Sequence, residues 1–209
     1  MEAPFSAHLE RMPVIAVLRH LGHKQAVAVG KALIGSGIEM MEVPLNGQGA
    51  LATLETLVKN FKKKALIGAG TVLTAQDVRK VADCGAQFML APNVDPEVIA
   101  EARHRDLPCV PGVATPSEAF MALKLGAAAL KLFPGDMLSP AIVRSFRIVL
   151  PPKALVLVSG GVNATNIKSY LDAGANGFAL GSAVFKPHFT PEEVGTKSRQ
   201  IAGLFNKEF

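Results

Sequence analysis

Lys131 stands inside a short apolar run, Ala127-Ala128-Ala129-Leu130-Lys131-Leu132-Phe133-Pro134. The run has the composition of a buried strand. A buried ammonium is costly unless it is paired or gives up its proton. A neutral lysine is a nucleophile: it can add to a ketone, expel water and leave an iminium, an electron sink for the neighbouring carbon. Two other polar side chains fall late in apolar strands. Glu42 lies in Met40-Met41-Glu42-Val43-Pro44, and Arg19 ends Val14–Leu18. Side chains alternate along a strand. Lys131 therefore shares a face with Ala129 and Phe133, Glu42 with Met40 and Pro44, and Arg19 with Val17. If those faces meet, a lysine, a carboxylate and a guanidinium share one site.

Each group then has a use. Desolvation and the Arg19 charge would lower Lys131 from its free value of about 10.4. Glu42 would move protons through carbinolamine formation and dehydration, at the enamine carbon, and at the hydroxyl of the bond being cleaved. Such general acid–base groups contribute about 10²–10⁴-fold. Arg19 and Thr71 would hold a carboxylate. The competing reading is a structural salt-bridge network among Glu42, Lys131 and Arg19. It leaves unexplained why three separate strands carry polar groups at one level.

A second cluster lies late in the chain, in Ser159-Gly160-Gly161-Val162-Asn163 and Gly181-Ser182-Ala183. Glycines let backbone amides approach an anion closely. A helix starting after Asn163 would aim its positive end at the same point. Gly-Gly alone reads as an ordinary turn; paired with Gly-Ser one strand later it reads as a phosphate site. The five histidines are scattered, so no metal set is expected; His20, close to Arg19, reads as a surface residue or a neighbour of the site. Gly68-Ala69-Gly70 lacks the third glycine of a dinucleotide fingerprint.

The elements that must position these groups alternate regularly. Strands are expected at Val14–Leu18, Glu39–Leu45, Ala65–Val72, Gln87–Ala91, Pro108–Val113, around Lys131, Leu155–Val158 and Gly177–Leu180. Helices are expected over Lys24–Ser36, Ala50–Phe61, Thr74–Asp83, Asp95–Arg105, Ser117–Leu125, from Ser139 to before Pro151, Ala164–Ala173 and Pro191–Phe205. Strands this apolar are covered on both faces, as in parallel sheets. Eight strand–helix units favour a (β/α)8 TIM barrel, a single domain over 1–209, in which 1–12 form a helical cap. The strand C-termini then meet at one mouth, with the phosphate loops after strands seven and eight. A weak repeat agrees: Gly37, Gly85, Gly126 and Gly174 each end a helix before an even-numbered strand, as left-handed helix-terminating glycines do.

Composition bounds the rest. In 209 residues 49% are apolar, which fits a packed enzyme domain. The net charge of +5 suits an anionic metabolite, whereas a chain with no Trp and one Tyr has no aromatic–basic pattern for nucleic acid. Lys62-Lys63-Lys64 reads as a solvated helix end. No run is long and apolar enough to span a membrane, and no signal peptide is apparent. Cys84 and Cys109 lack metal-ligand spacing and read as reduced, buried thiols of a cytoplasmic protein.

Several motifs in one order are more specific than any alone. Ile15-Ala16-Val17-Leu18-Arg19, Glu42-Val43-Pro44-Leu45-Asn46, Ile67-Gly68-Ala69-Gly70-Thr71-Val72-Leu73, Ala91-Pro92-Asn93, Pro111-Gly112-Val113-Ala114-Thr115-Pro116 and Leu130-Lys131-Leu132-Phe133-Pro134, with the Gly160-Gly161 and Gly181-Ser182 pairs, resemble the class I aldolases that cleave 2-keto-3-deoxy-6-phospho sugar acids. The resemblance spans nearly the whole chain. It implies Lys131 as Schiff-base lysine and Glu42 as proton shuttle. It implies Arg19, Thr71 and Pro92 around the pyruvyl part, and Gly160, Gly161, Gly181 and Ser182 around the phosphate. It also implies a homotrimer that needs no metal or other cofactor. Phosphogluconate-type members often carry Glu-Val-Thr-Leu-Arg on strand two. The Pro-Leu-Asn form here is more similar to the phosphogalactonate type, and it leaves Arg19 and Thr71 alone with the carboxylate. The expected reaction is cleavage of 2-dehydro-3-deoxy-6-phosphogalactonate to pyruvate and glyceraldehyde 3-phosphate. The epimeric phosphogluconate is the near alternative, then 4-hydroxy-2-oxoglutarate or oxaloacetate, which lack phosphate. More distant alternatives are a cofactor-free sugar-phosphate isomerase and a non-catalytic phosphosugar-binding protein.

Overall fold

The computed structural model describes residues 3–205. Its strands are β1 (Val14–Val17), β2 (Met40–Pro44), β3 (Leu66–Gly70), β4 (Met89–Leu90), β5 (Cys109–Val110), β6 (Gly112–Val113), β7 (Leu130–Leu132), β8 (Val156–Ser159) and β9 (Gly177–Leu180). They form one sheet in the order β5-β4-β3-β2-β1-β9-β8-β7-β6. Every ladder is parallel. The two ends of that order are consecutive in the chain. β5 pairs with β4 and β6 with β7, so what reads as one fifth strand is split at Pro111 and closes the sheet into a barrel. Proline has no N–H to give a ladder. Its carbonyl still accepts from the Lys131 N–H at 2.9 Å.

The helices are α1 (Ala3–Arg11), α2 (His23–Ile34), α3 (Ala50–Phe61), α4 (Ala75–Asp83), α5 (Pro96–His104), α6 (Pro116–Leu125), α7 (Pro140–Val149), α8 (Ile167–Asp172) and α9 (Pro191–Ala202). Their starts are chemically marked. Thr74 accepts from the Asp77 N–H, and Asp95 from those of Glu97 and Val98. Thr115 with Glu118, and Thr190 with Glu193, form reciprocal capping boxes. Ser139 occupies the cap of α7 but its hydroxyl accepts no capping bond; Pro140 opens that helix instead. Gly37, Gly85, Gly126 and Gly174 all have positive φ, between 84° and 97°, so the repeated glycine signal does mark helix ends.

Strand alternation sorts the core into two clusters. Val14, Ala16, Met41, Val43, Leu130 and Leu132 face the helices. Ile15, Val17, Met40, Leu66, Phe88, Leu90, Val110, Ala129, Leu157 and Ala179 fill the barrel interior. Phe5 and Leu9 of α1 join the interior cluster. The Phe5 and Phe88 rings lie 5.6 Å apart, and Leu9 lies against Gly177 at the start of β9. The end of the barrel where the strands begin is thus covered by α1. The opposite end, where the polar residues lie, is left for chemistry. Among the described residues no helix is long and apolar enough to cross a membrane. Cys109 is buried, whereas Cys84 is half-buried and hydrogen-bonds to Glu55 at 3.5 Å, less enclosed than expected.

Candidate active site

Glu42 and Lys131 are 4% and 7% exposed, inside a barrel otherwise lined by apolar side chains. Register places them: Glu42 is flanked by Val17 and Gly68, Lys131 by Gly112 and Leu157. The ion pairs among the described residues join Glu39, Arg79, Lys80, Glu101, Arg105, Lys168 and their partners outside the barrel; none joins Arg19, Glu42 or Lys131. Glu42 Oε2 is buried with no hydrogen-bond partner among the described residues. The Lys131 ammonium lies 5.0 Å from the centre of the Phe133 ring. A salt-bridge network is therefore not what holds this cluster.

Burial without direct pairing shifts both groups toward neutrality. Desolvation raises Glu42 to about 7, against the opposing pull of the Lys131 and Arg19 charges. Desolvation lowers Lys131 to about 8; Glu42 opposes this, Arg19 adds to it, and Cys109 opposes it weakly. The result is a lysine that can shed its proton and a carboxyl that can carry one near neutral pH.

The mouth around them is shaped by small residues. A Cβ on Gly70 would collide with the Glu42 carboxylate, so β3 must present glycine there. A Cβ on Gly112 would collide with the Pro92 carbonyl, which brings Pro92 beside the strand next to Lys131. Thr71 follows Gly70 with φ of 54° and His20 follows Arg19 with φ of 60°. Positive φ is unusual for a β-branched residue, and such strain concentrates at functional sites. Arg19 is exposed at the rim, where its Nη1 donates to Asn46 Oδ1 at 3.4 Å.

The second cluster lies at the ends of β8 and β9. Gly160 and Gly161 have φ of 97° and 66°. The Ser159 hydroxyl donates to the Ala179 carbonyl at 3.0 Å, tying the two strand ends together. The Val184 and Phe185 amides both donate to the Gly181 carbonyl at 2.9 Å, which turns the chain just beyond Ser182. Ser182 is exposed. The expected helix directly after Asn163 is absent. α8 begins only at Ile167, after a turn over 164–166 in which the Asn166 and Ile167 amides donate to the Asn163 carbonyl; Asn166 Oδ1 accepts from the Asn163 N–H at 2.8 Å, and Asn163 Oδ1 from the Thr165 N–H at 2.9 Å. Asn166 Nδ2 also donates to the Gly161 carbonyl at 3.0 Å, fixing the glycine turn without a helix end behind it.

Three further residues belong to the mouth. Asn46 lies in the turn after β2, where its Oδ1 accepts from Arg19 Nη1. Gly70 continues the inward parity of Leu66 and Gly68, and the alternation that singles out Glu42 would have found it. Asp136 lies against Gly160 and Gly161, where a Cβ on Gly160 would come within 3.3 Å of its Oδ2. Nothing in the sequence signals Asp136, since the contact depends on how the chain turns after β7.

Comparison with known proteins identifies the family. A family model described as aldolase, KDPG and KHG aldolase, matches residues 5–194. A probable 2-dehydro-3-deoxy-6-phosphogalactonate aldolase of Rhizobium meliloti strain 1021 is 41% identical over 92% of this chain and 90% of its own. The 2-dehydro-3-deoxy-6-phosphogalactonate aldolase of Escherichia coli strain K12 is 38% identical over 95% of both. A solved native KDPGal structure superposes with a TM-score of 0.92 at 34% identity, covering 94% of this chain and 96% of that one. The chain belongs to the KDPG and KHG aldolase family, and is a carbon–carbon lyase of the TIM-barrel fold.

Proposed function

We propose that the protein is a Schiff-base aldolase that cleaves 2-dehydro-3-deoxy-6-phosphogalactonate to pyruvate and D-glyceraldehyde 3-phosphate. The observation that carries the chemistry is the buried Glu42–Lys131 pair, drawn toward neutrality and joined by no ion pair. Neutral Lys131 adds to the ketone carbon, and Glu42 gives the departing hydroxyl a proton as water leaves. The iminium then draws the electrons of the C3–C4 bond, while Glu42 takes the proton of the C4 hydroxyl. The aldehyde departs, and the enamine carbon regains a proton from Glu42. Water hydrolyses the pyruvyl iminium and frees the lysine. Arg19, Thr71 and Pro92 surround the carboxylate and keto group, and Gly160, Gly161, Gly181 and Ser182 receive the phosphate. No cofactor enters any step. The galactonate epimer is favoured by the two relatives at 38% and 41% identity. On this reading the enzyme acts in the cytoplasm, in galactonate breakdown, as a homotrimer.

Borohydride reduction with pyruvate, followed by peptide mass spectrometry, tests the chemistry. A reduced pyruvyl adduct is expected on the Lys131 peptide and none in Lys131→Met. A folded protein without adduct in excess pyruvate would overturn the reading in favour of the isomerase or binding alternatives. Comparison of kcat/KM for the two epimeric phospho sugar acids tests the substrate, with the galactonate epimer expected to be preferred by at least about tenfold, or about 1.4 kcal/mol.

A further inference from the structure

Two tight turns face each other across the tips of the adjacent strands β1 and β2. The first, Leu18–Leu21, is closed by the Leu21 amide on the Leu18 carbonyl at 3.2 Å, with His20 in the left-handed region. The second, Pro44–Gly47, is closed by the Gly47 amide on the Pro44 carbonyl at 3.3 Å. It is pinned sideways by the Leu45 amide on the Gly70 carbonyl at 2.8 Å. The turns touch at two points. Gly47 lies along His20, where an added Cβ would come within 3.5 Å of its Cα. Beside it, Asn46 Oδ1 accepts from Arg19 Nη1.

We infer that Asn46 is a positioning residue for Arg19: its side-chain amide, carried on a pinned turn, holds the exposed guanidinium at the barrel mouth, where it meets the carboxylate of the keto acid. This rests on the aldolase reading and adds to it a residue with its own role. A free arginine side chain has many rotamers to lose, so a tether reduces what ordering it costs on binding. The guanidinium has five N–H donors in a fixed fork. One spent on Asn46 leaves others for a two-pronged carboxylate contact. The choice of a neutral amide matters as well. A carboxylate at 46 would cancel the Arg19 charge, and a second cation would repel it. Arg19 is a source of lowering for both Glu42 and Lys131. The other charged or titratable influences on that pair are their mutual interaction and Cys109 behind Lys131. Anchoring Arg19 therefore bears on the proton affinities of the pair, which desolvation governs, as well as on the carboxylate contact.

The test is a double-variant cycle on the full chain, read by the pyruvate concentration that half-saturates borohydride trapping. Asn46→Leu keeps the bulk and removes the acceptor. It should raise the half-saturating concentration by about tenfold, which corresponds to about 1.4 kcal/mol. Arg19→Ala should raise it at least as much, and adding Asn46→Leu to Arg19→Ala should change nothing further, because the tether then has nothing to hold. Both apparent pKa values of the trapping-rate profile should move upward in Asn46→Leu, a readout that a purely structural role would leave alone. Normal half-saturation and an unmoved profile in Asn46→Leu, or additive losses in the double variant, would overturn the inference while leaving the aldolase reading in place. A wild-type protein that forms no adduct would overturn both.

Discussion

The carboxyl of Glu42 and the amine of Lys131 carry a folding cost that the proposed Schiff-base chemistry requires. Glu42 is raised from 4.5 to about 7, so its contribution to stability is complete below pH 4.5 and is lost as pH rises through about 7. Lys131 is lowered from 10.5 to about 8, so its contribution is present above pH 10.5 and is lost as pH falls through about 8. Both contributions are therefore largely missing between pH 7 and 8, where the proposed chemistry has a carboxyl and an amine poised to exchange protons. Lys131→Met and Glu42→Gln should each be more stable than the wild type there, by roughly 1–3 kcal/mol. For a chain of this size that is about 2–10 °C in Tm. The Lys131→Met advantage should shrink toward pH 10 and the Glu42→Gln advantage toward pH 4.5, while both lose activity. Thermal melts across pH measure this; variants no more stable than wild type at pH 7.5 would mean that the pair is better solvated than its burial indicates. These residues were legible because each is a single polar side chain in an apolar run, and period-two alternation put them on one face. The opposition of Glu42 to the lowering of Lys131 was not, because it depends on a distance across the barrel.

Elements place these groups, and the placement depends on what is left out. β3 offers the Glu42 carboxylate space only because residue 70 has no side chain. Gly70→Ala should keep the parallel ladder of β2 and β3, since its φ is not in the positive range, and should force the carboxylate aside. A misplaced general acid–base group forfeits about 10²–10⁴-fold. The expected outcome is a kcat/KM lower by about 10²-fold or more, with helix content by circular dichroism unchanged; near wild-type activity would remove Glu42 from the proton-transfer role. The order of strands and helices was readable from hydrophobic runs and capping residues such as Thr74 and Asp95. Two boundaries were not. Strand five breaks at Pro111, where a proline within an apolar run looks the same as an uninterrupted edge. α8 starts late because residues 164–166 first make a tight turn on the Asn163 carbonyl, closed by Asn163 and Asn166 side-chain bonds that the helical pattern of Ala164–Ala173 does not reveal.

Closure of the sheet decides what remains outside. The interior is filled, α1 covers one end, and the mouth carries the candidate site, so the outer helices offer the broadest surface for contact between copies. There Phe120 and Met121 of α6 are 45% and 51% exposed, and they line an apolar groove with Pro96 of α5 and with Leu125. On the proposed homotrimer reading, these adjacent exposed apolar side chains are the surface that the copies cover. The proposed chemistry calls on Glu42 and Lys131 inside the barrel, so assembly and chemistry are expected to separate. Light scattering coupled to size exclusion should give the mass of three chains for the wild type. Phe120→Glu removes the aromatic ring from the groove and puts in its place a carboxylate whose desolvation the neighbouring Lys124 only partly offsets, and it should shift that mass toward one chain. The same variant should still form the pyruvyl adduct on Lys131. A wild type that elutes as a single chain would overturn the trimer. Loss of the adduct in a folded Phe120→Glu monomer would instead mean that a neighbouring copy steadies the barrel mouth, making assembly part of the chemistry.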